Sequence, residues 1–594
     1  MNIRLRVYII FFLSFSIYGQ QMSVLKGNDE VTGYYQVPQE KVFVHYNSSL
    51  LFTGEHLYYK LYCFNDEKNS LTKISKIGYV ALINEQGVSV FEHKIKLNKG
   101  IGQGDFFIPV SVPTGNYKVI GYTQWMLNVK NHFFQGDISI LNPYQANQSQ
   151  IEQDKNSNIP IAATQSKNED YSEINRGQKI SMEFDQKTYE KRSLVSCKIE
   201  DQFLGKESGT YSISIRKKDT FPKAVLNTAK SFTSAYNNKS KIERQKVSIG
   251  SSVFLPEMRG ELIYGKIESN DSSYPVFNQH IGLSVPQNIS DVHIVSTNKE
   301  GEFVFNLSER QSENNTLLIQ VLEEDKDKYS IKMNDIPQVD YPAMNFYQFK
   351  VSSDLEDAII KRSVYNQIEN NFYSVKPDSI LASTTKTPFY GKEIVTYHLD
   401  DYTRFETVKE TVVEVVDGMW TTKDKNGNEV FGIRGLYSER LEDLGYLPLL
   451  LMDGIIEQDH GKIINSKARE IKSIKYIRDR YFLGSQVFEG IVAIETIDKD
   501  YAKTANSSVL SVELSNLQGR KKYFKQKYGG AISYDRIPDY RNQLLWEPNL
   551  EMKNKKVMID FFTSDIPGVY EVSIEGFSNQ GIPVSVKDSF IVQE

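Results

Sequence analysis

Between Gln39 and Leu141 the chain alternates apolar and polar residues in short runs: KVFVHYNSS, HLYYKLYCF, GYVALIN, VSVFEHKIKL, GQGDFFIPVSV, NYKVIGYTQWM and GDISIL. Turn signals at Thr53-Gly54, Gln86-Gly87 and Pro113-Thr114-Gly115 separate them, which is the text of an antiparallel β-sandwich spanning 20–143. A polar stretch at 144–178, rich in Gln, Asn, Ser and Asp, cannot bury enough surface to order itself and reads as a linker. Alternation returns in ISMEFDQKTYEKRSLVSCKI and GTYSISIRKKD, giving a second sandwich at 179–253. FLPEMRGELIYGKI, PVFNQHIGLSV, VHIVSTNKEGEFVFNL and LLIQV give a third at 254–350, and VLSVELS, KVMIDFFTSD, GVYEVSIEGF and VSVKDSFIV a last one at 505–594.

The pattern changes at 351–435. Leu355, Ile359, Val364 and Ile368 fall near one side of a helix over 354–373, and Phe405, Val408, Val412 and Val415 do so over 402–416, so both stretches are expected to pack as amphipathic helices. The second helix is expected to dock on the block that follows it. In that block, 436–504, PLLLMDG is an apolar strand closed by an Asp453-Gly454 turn. AREIKSIKYIRD places Ile471, Ile474 and Ile477 on one helical face, and GIVAIETI is a second buried strand. Strand, helix and strand predict a small α/β unit. The fold class expected is mainly β, with tandem immunoglobulin- or macroglobulin-like sandwiches and one α/β domain.

A chain of 594 residues holds four to five domains of the usual roughly 100–150 residues. Its 36 Tyr and 32 Phe favour pleated, half-buried surfaces. The formal charge of −5 gives no reason to expect nucleic acid or an anionic membrane as partner. Arg4 and Arg6, the apolar run Val7–Ile17 and the exit at Tyr18-Gly19-Gln20 read as a signal peptide over 1–19, so export is expected. No later stretch reaches the ~20 apolar residues of a membrane span. Cys63 and Cys197 lie in strand-like text and read as two buried thiols, a single disulfide being the alternative.

Several stretches resemble known families. KVFVHYNSSLLFTGEHLYYKLYCF with PTGNYKVIGYTQWM is similar to the MG2 domain of the α2-macroglobulin superfamily, its pattern centred on Gly54-Glu55 and Pro113–Tyr117. The 254–350 text resembles a carboxypeptidase regulatory-like domain through Thr297 and Gly301–Phe305. In it Gly301 should take positive φ, and Phe303 and Phe305 should share the core face. Residues 446–498 look like the plug of a TonB-dependent receptor through Asp453-Gly454, the Ile-x-x-Ile run, Gly484 and Gly490–Ile494. They depart from it at Gln486–Glu489, where plugs carry small residues. With PDYRNQLLWEPNL, FFTSD and YEVSIEG, the order of modules resembles envelope proteins of Bacteroidetes-type bacteria. The ordered modules on both sides of the plug-like block are read as a complete protein, expected to be exported and periplasmic at the outer membrane, with surface exposure the alternative, and the block as an adaptor seated on another protein's barrel.

The chemistry is sparse. No Cys is followed by the Glu-Gln of a thioester, and no His-x-x-Glu pair, Gly-x-Ser-x-Gly elbow or phosphate-cradling loop occurs. His45 and His56 read as structural. Asp453, Glu457 and Asp459 suggest a carboxylate or calcium site, against which stands a turn role for Asp453 and the lack of alternating oxygen ligands. No catalytic residue, metal or cofactor is expected, and the chain is not expected to be an enzyme. Aromatic and arginine anchors dominate interfaces, so the candidate contact residues are Tyr540, Arg541, Trp546, Trp420 and Asp453. The leading expectation is a non-enzymatic scaffold or accessory subunit binding an outer-membrane β-barrel protein or envelope complex. Capture of a glycan or peptide is the alternative, and hydrolysis a distant third.

Overall fold

A computed structural model describes residues 23–594 except 147, 149–150, 152–170, 204–208, 238–243, 308–314, 335–338, 340, 342, 382–393, 436–444, 505–508, 516, 519–520, 530–533, 535 and 553–554. The signal segment 1–19 and most of the linker 144–178 therefore lie outside the described residues. The chain is mainly β, as its alternation predicts, and forms two compact units, each assembled from separated stretches. One contains Leu262–Val339 and Thr385–Leu514, the other Ser23–Glu261, Asp340–Thr384 and Ser515–Glu594. Among the described residues no helix is long and apolar enough to cross a membrane.

In the larger unit the first sandwich sets Glu40–Tyr46, His56–Asn65 and Ile101–Phe107 against a sheet of Leu50–Phe52, Phe134–Leu141, Gly115–Tyr122, Ile77–Asn84 and Ser89–Lys96. Every residue of Glu40–Tyr46 is buried. Both faces of this strand are therefore covered, one by the sandwich interior and the other by the rest of the unit.

The second sandwich differs from the boundaries read in the sequence. Segments 179–253 and 505–594 are not two sandwiches: their strands interleave in one. Leu194–Asp201 pairs with both Ile180–Phe184 and Lys556–Phe562. Thr210–Lys217 lies between Gln543–Leu550 and Gly568–Phe577, in a 5-stranded sheet completed by Pro583–Val592 and Thr188–Tyr189. Their shared core joins Val195, Cys197, Ile199, Tyr211, Ile213 and Ile215 to Tyr570, Val572, Ile574 and Val586. Alternation identifies a strand but not its partner, and here the partners stand more than 300 residues apart along the chain. Cys63 and Cys197 are both buried free thiols, each in a different sandwich core.

The helix expected at 354–373 forms as Glu356–Asn371, but it turns the other way. It buries Arg362, Ser363 and Asn366 and leaves Ile360 and Val364 exposed, because buried carboxylates await Arg362 beneath it. Leu355 and Ile359 stay only partly buried, at the edge of a small cluster with Phe349.

In the smaller unit, Gly301 has φ 78, and Phe303 and Phe305 both enter the core of a sandwich built from 3-stranded and 4-stranded sheets. Leu510–Glu513, expected in the last sandwich, instead extends this one beside Thr316–Val321. The block read at 436–504 forms, with Val395–His398, a 5-stranded sheet ordered Val395–His398, Ile471–Leu483, Gln486–Thr496, Leu449–Met452, Ile455–Glu457.

The helix expected at AREIKSIKYIRD is therefore absent: Ile471–Leu483 is a 13-residue strand. Ile471, Ile474 and Tyr476 pack on one face with Val408 and Val412, while Ile477 packs on the other with Val292 and Ile294. A strand buried on both faces loses its polar alternation. A register shift between Ile471 and Ser473 then lets residues three apart share a face, imitating a helical period. The helix read at 402–416 shortens to Val408–Val415, starting at a Thr407–Glu410 capping box, and it docks on this sheet. At the hairpin tip a side chain on Gly484, φ 61, would meet the Ile294 carbonyl, so the tip needs glycine.

Candidate functional site

The sequence GTYSISIRK sends Tyr211, Ile213 and Ile215 into the sandwich core and Ser212, Ser214 and Arg216 to the opposite face; YEVSIEG does the same with Glu571, Ser573 and Glu575. That second face would be solvated in a free sandwich. Here it is covered by the first sandwich, and Ser212, Ser214, Arg216 and Glu575 are all buried. The covering face has a matching character. Phe43, Tyr62 and Phe64 meet Phe577, while Lys60 Nζ donates to the Tyr211 carbonyl at 3.2 Å and Tyr62 Oη to those of Thr210 and Glu575, also 3.2 Å.

Where the two polar faces part, they leave a small cleft of about 40 Å³, lined by His45 and Asn47 on one side and Ser214, Arg216, Glu575 and Lys587 on the other. His45 Nδ1 stands 2.7 Å from Ser212 Oγ, and that hydroxyl donates to the Glu575 carbonyl at 3.1 Å. The serine proton is thus directed away from the imidazole, which donates through Nδ1. A base that would activate this serine is not available in that arrangement. Burial, and then the Lys60 and Lys587 cations, lower the His45 pKa to about 3, so the ring is neutral. Glu575 is pushed up to about 7 by burial, although the Ala229 backbone N–H and Ser585 Oγ both donate to it, at 2.8 and 2.7 Å.

These shifts act on stability with opposite signs. Unfolded histidine titrates near 6.5 and folded His45 near 3, so between those values the unfolded chain binds the extra proton and stability falls as pH falls. For Glu575 the folded chain holds the proton between about 4.5 and 7, so stability rises as pH falls through that window. Comparing wild type with His45→Gln isolates the first effect. Denaturant titrations between pH 6 and 4 should show wild type losing about 1.4 kcal/mol per pH unit relative to the variant.

At the edge of the cleft lies an ionic cluster. Glu55, of the Gly54-Glu55 turn, receives Arg362 Nε and Nη2, both at 2.8 Å, and Arg216 Nη2 at 2.9 Å, while Arg362 Nη1 reaches Asp219 at 2.9 Å. Asn366 and Asn370 of the same helix donate to Glu55 and to the Gly54 carbonyl. Burial opposes ionisation of Glu55, but the two arginines outweigh it and hold its carboxyl at about 2.

The residues selected from the sequence do not form one patch. Tyr540 stacks on Tyr365 with ring centroids 4.4 Å apart, and its backbone N–H donates to Glu369. Arg541 is clamped to Asp539 through two 2.6 Å bonds and also donates to the Leu544 and Phe562 carbonyls. Trp546 is buried against Tyr58 and His45. Trp420 and Asp453 belong to the smaller unit. Trp420 is 44% exposed on the hairpin Met419–Lys423/Glu429–Ile433, its ring lying over Gly432. Asp453, with φ 48, accepts from the Thr496 N–H at 2.8 Å, the Thr496 hydroxyl at 2.5 Å and the Tyr501 N–H at 3.3 Å, so it locks a turn. Glu457 accepts from Tyr501 Oη and Lys462, and Asp459 caps the helix His460–Ile464. Of the five, only Trp420 offers a broad exposed ring. The cleft and the Glu55 cluster were missed because their members come from distant segments. The one local signal was the basic run Arg216-Lys217-Lys218 ending a strand.

No family model matches this sequence, and no curated protein matches it. Among solved structures, a Salmonella α2-macroglobulin reacted with methylamine is 8% identical, with 97% of this chain and 24% of that one covered and a TM-score of 0.15. Escherichia coli α2-macroglobulin activated by porcine elastase is 9% identical, with 93% and 44% covered and a TM-score of 0.21. Dimeric latent PorU from Porphyromonas gingivalis is 10% identical, with 50% and 34% covered and a TM-score of 0.15. The chain spans less than half the length of each. Similarity this low carries no functional argument, and the fold assignment rests on the strand order given above.

Proposed function

We propose that the chain is a non-enzymatic scaffold or accessory subunit of the cell envelope, exported and held at the outer membrane by a β-barrel transporter, secretion or assembly partner. The observation carrying this reading is where the reactive side chains go. Glu55, Arg362, Asp539, Arg541 and the His45–Ser212 pair are all buried or half-buried and bonded to other segments, Asp539 to Tyr528 and Arg541 to the Phe562 carbonyl, so they fasten segments together. The plug-like sheet and its Gln486–Glu489 departure from plug sequence support an adaptor role over energised transport. Fractionation tests the location: the tagged chain should sediment with outer membranes, and recovery in the soluble periplasm would sink the reading.

Capture of a glycan or peptide is the second reading. The cleft between the polar sheet faces favours it. Binding of an arrayed glycan or peptide by the full chain, without a co-purifying barrel, would place this reading first.

A further inference from the structure

We infer that the cleft between the two sandwiches of the larger unit is a binding site for an oxyanion, a carboxylate, sulfate or phosphate group received by Arg216, Lys217, Lys218 and Lys223. This inference stands apart from the scaffold reading.

Four observations converge on it. The cleft is a small cavity of about 40 Å³ with five cationic side chains among its lining, the four named and Lys587, against two carboxylates. Those carboxylates are already engaged, Glu571 with Lys587 at 3.3 Å and Glu575 with the Ala229 N–H and Ser585. Lys217, Lys218 and Lys223 have no side-chain hydrogen bond or ion pair among the described residues, although each is partly buried. Arg216 is only 8% exposed, and while its Nη2 holds Glu55, its Nε is buried without a partner.

A buried guanidinium N–H left unpaired forfeits its hydration without compensation. On the same wall, burial first and then the nearby Lys361 cation disfavour the charged form of Lys217 and lower its pKa. An oxyanion entering the cleft relieves both penalties, since it accepts charge-assisted hydrogen bonds and favours the charged form of the lysine beside it. Ser214 and Thr228, also lining the cleft, carry hydroxyls that can orient it. The group can come from a free inorganic anion or from the carboxylates of an acidic peptide segment.

The test is isothermal titration of the full chain with phosphate, sulfate, acetate and a hexaglutamate peptide, each at ionic strength matched with sodium chloride. Saturable binding of at least one oxyanion is expected. Lys217→Gln/Lys218→Gln/Lys223→Gln should weaken it at least tenfold with an unchanged circular dichroism spectrum. If the triple variant does not fold, Lys223→Gln alone should weaken binding measurably. Tighter binding of hexaglutamate than of the inorganic anions assigns the group to a peptide, and the reverse assigns it to a free anion. No saturable heat beyond the chloride control, or equal affinity in the variants, overturns the inference. Because the variants leave the rest of the surface intact, they should still fractionate with outer membranes, which separates failure here from failure of the scaffold reading.

Discussion

Arg362→Met destabilises the larger unit by about 3–5 kcal/mol in denaturant titrations at pH 7, because it removes the cation that Glu55 and Asp219 share. Arg362 closes on both Glu55 oxygens and on Asp219, and its guanidinium lies 4.2 Å from the Phe52 ring centroid, so methionine keeps only the packing of the stem. Arg216 and Asn366 remain on Glu55, which is why the loss is that of a broken pair and not of a bare buried charge. Two controls identify the cause. The double variant Glu55→Gln/Arg362→Met should recover part of the loss, a coupling of about 0.5–3 kcal/mol. Acidification should also act differently on the single variant. In wild type the Glu55 contribution is complete above about 4.5 and is lost as pH falls through about 2. Without Arg362 the carboxyl pKa rises, so the gap between variant and wild type should narrow as pH falls through that range. A variant within 1 kcal/mol of wild type at pH 7 would mean that the helix Glu356–Asn371 docks by other means.

The second large effect concerns the composite sandwich. A chain ending at Asn542 loses Gln543–Leu550, Lys556–Phe562, Gly568–Phe577 and Pro583–Val592, leaving Leu194–Asp201 and Thr210–Lys217 without their neighbours on that side. Val195, Ile199, Tyr211, Ile213 and Ile215 then face water, and at roughly 1.5–3 kcal/mol for each large apolar side chain the exposure exceeds what a domain's net stability can absorb. Cys197 reports the outcome. It is buried in that core, with its thiol pushed up to about 12 by burial, so it should resist alkylation in the full chain and react at the rate of an unfolded thiol in the truncated one. Continued protection of Cys197 after truncation would mean that 179–253 folds alone, as the sequence boundaries suggested.

Much of the fold was legible because alternation is local. Phe303 and Phe305, the Gly301 turn and the strands of the first sandwich needed only period two and turn chemistry. Legibility failed where burial became two-sided, as in Ile471–Leu483, and where pairing joined distant segments, as in Leu194–Asp201 with Lys556–Phe562. It failed for the helix Glu356–Asn371 for a further reason. Its apolar residues mark a face, but the face it buries is chosen by the carboxylates under Arg362. The candidate contacts fared similarly. Tyr540, Arg541 and Trp546 carry the residue types of interface anchors, yet those types also fill cores. Only their neighbours, Tyr365, Asp539 and Tyr58, show how they are used. The cleft could not be read from one segment, since its two walls belong to different sandwiches.

The scaffold reading is tested most directly by affinity purification of the tagged full chain from detergent-solubilised outer membranes, with co-purifying proteins quantified by mass spectrometry. The account predicts one β-barrel protein recovered in stoichiometric amount. Recovery of the chain alone, with no barrel protein above background, would contradict it.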